Sequence, residues 1–427
     1  MHYHLPSPST SPRQQRGAAA LIVTTLLFFA MVLVTLFVNR NLVFEQHASA
    51  NQYRATQAFE AAEAGAEWAL AQLSNPQRLG PDCQPVADAT ATSFRSRYLN
   101  QASASFVPRT WNSGSTAAPL QPTCVRSSAG WNCSCPASSA PVLDVPAGDG
   151  PFPAFSLQFM AGDKAGSVRV VSTGCTRLAG VCFAGSAGSP EAVARVEVTV
   201  ALFAGLRTPP AAALTTRGNV DADSAAFGAH NADPATGIAV HAGGTISAGQ
   251  ARLTGTAGAP LSAAVLANDA GLASPSAERF FASWFGLDKE RWKNQPTVKR
   301  ITCSSDCGAV IEAAIAAVDG SALLWLDGDL SLNGPVTLGS PEHPVVLVVT
   351  GAARLRGAVT FHGLLHAASL QWDDTLAAGA LLRGAAVSEA GYGGNGSPDF
   401  VYDRHALELL QTRSGTFTLV NGSWRDF

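Results

Sequence analysis

Residues 17–38 read GAAALIVTTLLFFAMVLVTLFV, and this stretch sets the architecture of the chain. It has no charged residue, and threonine is its only polar residue type. A helix needs roughly 20 apolar residues to cross the hydrocarbon core of a membrane, so the stretch is long enough to span it. Arg13 and Arg16 precede it, which predicts a single-pass inner-membrane segment with its N-terminus in the cytoplasm. A secretory signal peptide fits less well, because its apolar region is shorter and a small-residue cleavage site follows it.

The helical pattern continues beyond the apolar stretch. From Asn41 to Leu73 the sequence has no proline and is rich in alanine, glutamate and glutamine, which favour helix. Asn75-Pro76 then ends the pattern. We therefore predict one helix over residues 18–75, apolar all round in its first half and amphipathic in its second. The following residues recur at helical spacing and predict a stripe, of which all but the first are expected to pack on a head domain: Ala55, Phe59, Ala62, Ala66, Ala69 and Leu73.

Three short stretches resemble a known family. Residues 13–23, RQQRGAAALIV, resemble the class III leader of type IV prepilins, and residues 51–65, NQYRATQAFEAAEAG, resemble the PilX N-terminal signature. The ending at 422–427, GSWRDF, is also similar to that family. The chain thus resembles PilX-type minor pilins of type IV pili. This resemblance implies that residues 1–17 are a leader and that a prepilin peptidase cuts between Gly17 and Ala18.

The same resemblance implies a role for the apolar half of the helix. It would anchor the subunit in the inner membrane before assembly, and it would then pack against equivalent helices in the core of the filament. The residues expected to do so are Leu21, Ile22, Leu26, Leu27, Phe28, Phe29, Leu33, Leu36 and Phe37. Most pilins carry glutamate at the fifth mature position, where this chain has Ile22. Its absence suits a minor subunit at the filament tip.

The implied partners are other minor pilins, the major pilin, a PilY-like tip adhesin and the prepilin peptidase. The chain would pass from the inner membrane to the periplasm and the cell-surface pilus, where it would prime assembly and present a surface for adhesion. Three other interpretations stay open. They are a pseudopilin of type II secretion, a plain membrane anchor, and a membrane-anchored β-helix enzyme that acts on glycans.

Residues 76–207 are predicted to form a pilin-like α+β head. Phe155 to Met160 and Ser167 to Ser172 have the character of strands, and residues 194–202 alternate apolar and polar side chains as a half-buried antiparallel strand does. We expect a small antiparallel sheet to pack its apolar face on the helix stripe. A turn that contains Cys175 and Cys182 would join two of its strands.

Residues 208–427 are predicted to form a β-solenoid, with Thr208-Pro209-Pro210 as the boundary. Short β-like runs that end in glycine recur through this region, as in a parallel β-helix. A helical insert is expected over 277–318. A β-sandwich is the alternative for this half of the chain.

Eight cysteines all follow the apolar stretch, which indicates disulfides in an oxidising compartment. Short spacing makes Cys175 with Cys182 and Cys303 with Cys307 the expected local pairs. The remaining four would pair among themselves: Cys83, Cys124, Cys133 and Cys135. Zinc is the competing interpretation of Cys133-x-Cys135, but no second ligand pair stands at suitable spacing.

The sequence gives little indication of catalysis. The net charge of −3 and the absence of a basic stripe argue against nucleic acid as a partner, and no hydrolase, phosphate-binding or zinc-protease motif occurs. An acidic group near the C-terminus could act as acid and base on a glycan, but turn geometry explains it better: Asp373, Asp374, Asp399, Asp403 and His405. Asp221, Asp223 and Asp233 are candidate calcium ligands, but a calcium site needs a fuller set of oxygen ligands. We expect no enzyme activity, no cofactor and no metal.

Overall fold

A computed structural model describes residues 15–102, 104–148, 151–183, 188–222, 226–249, 251–373 and 379–427. The chain forms two compact units, residues 1–57 and 58–427. Its helices are α1 (Gln15–Leu73), α2 (Phe94–Tyr98), α3 (Ala270–Ala273), α4 (Ala277–Phe285), α5 (Lys289–Lys293), α6 (Gly308–Ala316) and α7 (Arg404–Thr412). Single 3-10 turns occur at Gly180–Cys182 and Leu261–Ala264.

The strands fall into an earlier and a later group along the chain. The earlier strands are β1 (Leu99–Ala102), β2 (Ser105–Pro108), β3 (Thr110–Ser113), β4 (Thr116–Pro119), β5 (Thr123–Ser127), β6 (Gly130–Ser134), β7 (Ala154–Ala161), β8 (Ser167–Cys175) and β9 (Val193–Ala204). The later strands are β10 (Ala212–Thr216), β11 (Val220–Asp221), β12 (Gly228–His230), β13 (Ile238–Ala242), β14 (Ile246–Ser247), β15 (Arg252–Thr254), β16 (Val265–Leu266), β17 (Val298–Ile301), β18 (Leu323–Leu326), β19 (Leu330–Asn333), β20 (Val336–Leu338), β21 (Val345–Arg356), β22 (Val359–Asp373), β23 (Leu381–Ser388), β24 (Tyr392–Gly393), β25 (Asp399–Tyr402), β26 (Gly415–Leu419) and β27 (Arg425–Asp426).

The head is an antiparallel sheet on which the second half of α1 packs. The strand order is β26-β9-β8-β7-β5-β6, and β27 also pairs with β9. The buried side chains between helix and sheet include Leu73, Phe155 and Val198. Because β26 and β27 follow the solenoid in the sequence, the solenoid is inserted between two neighbouring strands of the head. Residues 415–419 and 425–426 therefore pair with the head sheet, although the expected solenoid range ran to residue 427.

Glycine allows the helix to approach the sheet closely. A Cβ atom at Gly174 in β8 would lie 2.0 Å from the carbonyl oxygen of Ala58 and 2.4 Å from the amide nitrogen of Ala62. On the helix side, a Cβ at Gly65 would lie 2.3 Å from the hydroxyl of Ser172. A larger residue at Gly174 would push the strand backbone away from the helix backbone, and one at Gly65 would clash with the side chains of Ser172 and Phe155.

Of the later strands, β10 to β25 form a three-sided parallel solenoid. On the first face the strands run in the order β16, β13, β10, β23, β22, β21, β18 and β17. The second face runs β14, β11, β24, β22, β21 and β19, and the third runs β15, β12, β25, β23, β22 and β20. Parallel pairing throughout this sheet distinguishes a solenoid from an antiparallel sandwich. The predicted α+β class, with a long helix, a small antiparallel sheet and a solenoid, is confirmed.

The chain enters the solenoid in its middle. The first rungs, β10 to β16, extend outward from β10 to one end. The helices α3, α4 and α5 then connect to β17 at the opposite end, from which the chain winds back until β23 pairs with β10. The outward side chains of the first face, such as Trp325 and Val348, are covered by Phe281, Phe285 and Trp292 of the connecting helices. Because the helices cover this outer side, the strands of the first face have apolar residues on both of their sides.

Candidate functional site on the N-terminal helix

The first half of α1 presents a continuous apolar surface. The side chains of Leu21, Ile22, Leu26, Leu27, Phe28, Phe29, Leu33, Leu36 and Phe37 are between 56% and 66% exposed. The hydroxyl groups of Thr24, Thr25 and Thr35 each donate to a carbonyl oxygen four residues earlier, so no polar group on these side chains needs water. Within the described residues, this is the one helix long and apolar enough to cross a membrane. A helix with this surface fits the single-pass anchor of a pilin.

The expected processing site lies near the start of the described helix. Gly17 and Ala18 are helical and exposed, and no atom would lie within 4 Å of a Cβ at Gly17. The leader residues up to Gln14 lie outside the described residues. Cleavage between Gly17 and Ala18 stays a prediction.

The second half of α1 carries the expected contact stripe. Ala62, Ala69 and Leu73 are fully buried, Ala66 is 8% exposed, and Phe59 packs at the margin of the same core. The stripe is wider than its helical spacing indicated, because Ala58 and Ala61 are also buried.

Trp68 also joins this core, with its ring 5.3 Å from that of Phe94 and 5.8 Å from that of Phe155. Nothing in the helical periodicity distinguished this tryptophan from a residue at the edge of an amphipathic face.

An arginine that the sequence did not single out holds the end of α1. The guanidinium group of Arg95 donates to the carbonyl oxygen of Leu73 from Nε at 3.0 Å and from Nη2 at 2.9 Å. It also donates to the carbonyl oxygens of Arg413 at 3.1 Å and Gly415 at 2.7 Å. Burial lowers the pKa of Arg95 to about 10, so it remains charged at neutral pH. One side chain thus joins the end of the helix to the chain as it returns from the solenoid.

Four disulfides join the eight cysteines of the sequence. Cys175 bonds to Cys182 and Cys303 bonds to Cys307, the two pairs that short spacing favoured. The other four form Cys83–Cys135 and Cys124–Cys133. The pair at 124 and 133 joins opposed residues of the β5–β6 hairpin, a register that the spacing alone did not reveal.

The acidic residues near the C-terminus are engaged in local structure. The Asp373 carboxylate accepts from the side-chain amide of Gln371 at 2.9 Å, and Asp403 caps α7 by accepting from the amide of Ala406 at 3.1 Å. His405 is exposed at the start of the same helix.

Asp399 contacts His230 at 3.2 Å and Arg252 at 2.8 Å. Asp374 lies outside the described residues. These contacts support roles for the acidic residues in turns, in helix capping and in contacts between rungs, rather than as a catalytic acid and base.

The expected calcium ligands do not form a set in the described residues. Asp221 is exposed in β11, Asp233 is half-buried beside Arg404 at 3.7 Å, and Asp223 lies outside the described residues. Within the part of the chain that the structure describes, no group of three or more acidic, histidine or cysteine side chains could hold a metal ion.

A buried ionic cluster lies under the connecting helices. Lys289 of α5 contacts both carboxylate oxygens of Glu389, at 2.7 and 3.0 Å. His366 is 1% exposed, and its Nε2 lies 3.5 Å from the same carboxylate. Burial, and then the charge of Lys289, lowers the pKa of His366 to about 3, so its imidazole is neutral at physiological pH. The cluster fastens the connecting helices to the first face of the solenoid.

One comparison with known proteins concerns the long helix α1. Residues 16–67 match the family model described as PilX N-terminal, which confirms the resemblance to PilX over this part of the chain. The chain is similar to a solved structure, the competence-associated pilin ComZ from Thermus thermophilus, at 13% identity and a TM-score of 0.23, over 88% of this chain and 97% of that one. No curated protein matches the chain. Residues 16–67 are thus similar to the N-terminal region of PilX proteins.

Proposed function

We propose that this chain is a PilX-type minor pilin that takes part in type IV pilus assembly. The observation that carries the proposal is the apolar surface on the first half of α1, which lies in the region that matches the PilX model. A helix that is apolar on all sides is stable in a membrane or among other apolar helices, and a pilin subunit uses both environments in turn. The function follows from packing and involves no catalysis.

In this proposal the helix has two successive roles. Before assembly, residues 18–38 hold the subunit in the inner membrane with its head in the periplasm. After cleavage of the leader, the same side chains pack among the helices of other minor pilins and the major pilin. Ile22 presents no carboxylate to pair with the amine of a neighbour, which suits the tip, next to a PilY-like adhesin. The solenoid is then held outward as a surface for adhesion.

The first test is the intact mass of the full-length protein with and without prepilin peptidase. We expect a loss equal to residues 1–17 and a new N-terminus at Ala18. A Gly17→Leu variant is expected to remain unprocessed, whereas Gly249→Ala, which changes a glycine with open space around it, is expected to be cleaved normally. Cleavage elsewhere, or none, would contradict the proposal.

The second test separates a pilus from a secretion system. We expect deletion of the gene to reduce the number of surface pili while export of secreted enzymes continues. Re-expression of the native chain should restore piliation, and a variant with Leu26→Asp and Phe29→Asp in the apolar surface should not. Normal piliation with loss of an exported enzyme would instead identify a pseudopilin of type II secretion.

A further inference from the structure

The sequence contains the dipeptide Asn-Gly three times, at residues 333–334, 395–396 and 421–422. In such a dipeptide the backbone nitrogen of glycine can attack the side-chain carbonyl carbon of asparagine, because glycine has no Cβ atom to obstruct the approach. A glycine nitrogen whose hydrogen is held by an acceptor has to lose that hydrogen bond before it can attack. The surroundings of the three glycine amides therefore decide which asparagine can react.

The first two dipeptides belong to the solenoid, and hydrogen bonds between rungs hold their glycine amides. The amide of Gly334, which follows β19, donates to the carbonyl oxygen of Arg356 at 2.8 Å. The amide of Gly396, which follows β24, donates to the carbonyl oxygen of Trp372 at 2.9 Å, and Gly396 is itself buried. At both sites the structure has to open locally before the glycine nitrogen can react.

The third dipeptide forms the tip of the turn between β26 and β27. The amide of Ser423 donates to the carbonyl oxygen of Val420 at 3.1 Å, which closes a β-turn with Asn421 and Gly422 as its central residues. Both central residues are exposed, and no atom would lie within 4 Å of a Cβ at Gly422. Within the part of the chain that the structure describes, the amide of Gly422 has no hydrogen-bond acceptor. Of the three asparagines, Asn421 is thus the one whose neighbouring nitrogen is free to attack.

We propose that Asn421 is a site of spontaneous modification, at which the side-chain amide is converted to a carboxylate. The nitrogen of Gly422 forms a bond to the side-chain carbonyl carbon of Asn421, and the bond from this carbon to the side-chain nitrogen breaks. That nitrogen leaves as ammonia with the proton of the glycine N–H. Water then opens the resulting cyclic imide at either of its carbonyl groups, which gives aspartate or isoaspartate. The site is independent of the apolar helix and of cleavage after Gly17.

The modification would act on the last strand of the head sheet. Isoaspartate routes the backbone through the side chain, so it lengthens the turn by one carbon atom. Beyond the turn, the hydroxyl of Ser423 donates to the carbonyl oxygen of Thr199 at 3.1 Å, and the amide of Phe427 donates to the carbonyl oxygen of Arg195 at 3.0 Å. A longer turn moves both donors away from these acceptors in β9, so β27 is expected to leave the sheet.

The test compares folded with unfolded protein. Full-length protein in lipid nanodiscs, and the same protein in denaturant, are incubated in mildly alkaline buffer. Peptide mass spectrometry follows the mass increase that accompanies replacement of –NH2 by –OH at each asparagine, and each rate is divided by the rate for the same site in denaturant. We expect Asn421 to convert at close to its unfolded rate, and Asn333 and Asn395 to be slowed at least tenfold.

Two outcomes of this comparison would overturn the proposal. In the first, folding slows conversion of Asn421 as much as that of the other two asparagines. In the second, folding slows none of the three, because a free glycine amide would then not select the site.

Variants of the turn separate the chemistry from its effect on β27. Asn421→Gln is expected to stop conversion at this position, because the longer side chain forms the cyclic imide less readily. Asn333→Gln, at another exposed asparagine, is the matched control and should leave conversion of Asn421 unchanged. Hydrogen exchange at Phe427 should lose its protection as the native chain converts and keep it in Asn421→Gln. Full protection of Phe427 in converted protein would overturn the expected release of β27.

Discussion

At the scale of single residues, buried charged and titratable side chains join segments that are distant in sequence. Arg95 donates to carbonyl groups at the end of α1 and at the start of β26. Its guanidinium carbon also lies over the ring of Phe417, 4.9 Å from the ring centroid. His366 lies neutral beneath the aromatic side chains of α4. Neither residue belongs to a sequence pattern, and each matters because of what lies around it.

Replacement of Arg95 is expected to destabilise the protein. Arg95→Ala would leave the carbonyl oxygens of Leu73 and Gly415 without their donor, and hydrogen bonds to a charged group contribute about 1.5–3 kcal/mol each, so a loss of about 3 kcal/mol is expected. Arg95→Lys should recover only part of it, because lysine lacks the planar fork. Arg109→Ala, at an exposed site, is the control. Denaturant unfolding in nanodiscs measures the change, and equal stabilities of the two alanine variants would refute it.

The buried imidazole of His366 is expected to make the folded protein less stable in acid. Its pKa is lowered to about 3 in the folded chain against an ordinary value of 6.5, so the unfolded chain binds the extra proton first. Stability from this group is complete above pH 6.5 and falls as the pH drops toward 3, by up to about 1.4 kcal/mol per pH unit. His366→Leu should flatten this part of a pH–stability curve, whereas His343→Leu, at an exposed site, should not. An unchanged slope for His366→Leu would contradict the expected role of the buried imidazole.

At the scale of elements, the packing of α1 on the head sheet depends on a close approach of the two backbones. The helix contributes mostly alanine at its buried stripe, and the sheet contributes Gly174 at the nearest point. Small residues on both sides bring the backbones together, so dispersion contacts form over a long interface. The alanine stripe was visible in the sequence. Its glycine partner was not, because no pattern in β8 indicates which residue will face Ala58 and Ala62.

A larger residue at that point is expected to loosen the helix from the head. Gly174→Val would direct new atoms at the backbone of Ala58 and Ala62, and we expect a loss of about 2–3 kcal/mol from overpacking. Gly249→Ala, where a Cβ meets open space, should be close to neutral. Hydrogen exchange across residues 58–73 reports the effect, and unchanged protection in Gly174→Val would show that the close approach is dispensable.

At the scale of the whole molecule, the solenoid is an insertion in the head. The chain leaves the head after β9 and returns at β26, and the amide of Gly205 donates to the carbonyl oxygen of Ser414 at 3.0 Å. The two ends of the insertion are therefore adjacent. The last residues of the sequence complete the sheet that the helix covers. The head therefore consists of chain segments that precede and follow the solenoid in the sequence.

Excision of the solenoid is expected to leave a folded head. A variant in which a short glycine-serine linker joins Arg207 to Arg413 retains β26 and β27, and it retains three of the four disulfides. We expect it to keep its β-sheet circular dichroism and protease resistance, because the antiparallel sheet and its helix need no strand of the solenoid. The control truncates the chain after Ser414 and should lose both, since β9 then lacks its edge partners. If the truncated chain folded and the excision variant did not, the head would depend on the solenoid rather than on β26 and β27, which would contradict the prediction.

The sequence by itself determined the features that depend on residues close together in the chain. An uncharged apolar stretch and an alanine-rich periodic segment are sufficient to predict the long helix and its two halves, because helical periodicity is local. Glycine-ended apolar runs were sufficient to predict a solenoid, and close spacing favoured the pairs Cys175–Cys182 and Cys303–Cys307. Only the tertiary structure decided which strands adjoin. The return of residues 415–427 to the head, the entry of the chain in the middle of the solenoid, and the roles of Arg95, Gly174 and His366 all arise from contacts between distant segments. Such contacts depend on the packing of the complete chain, and no local pattern encodes them.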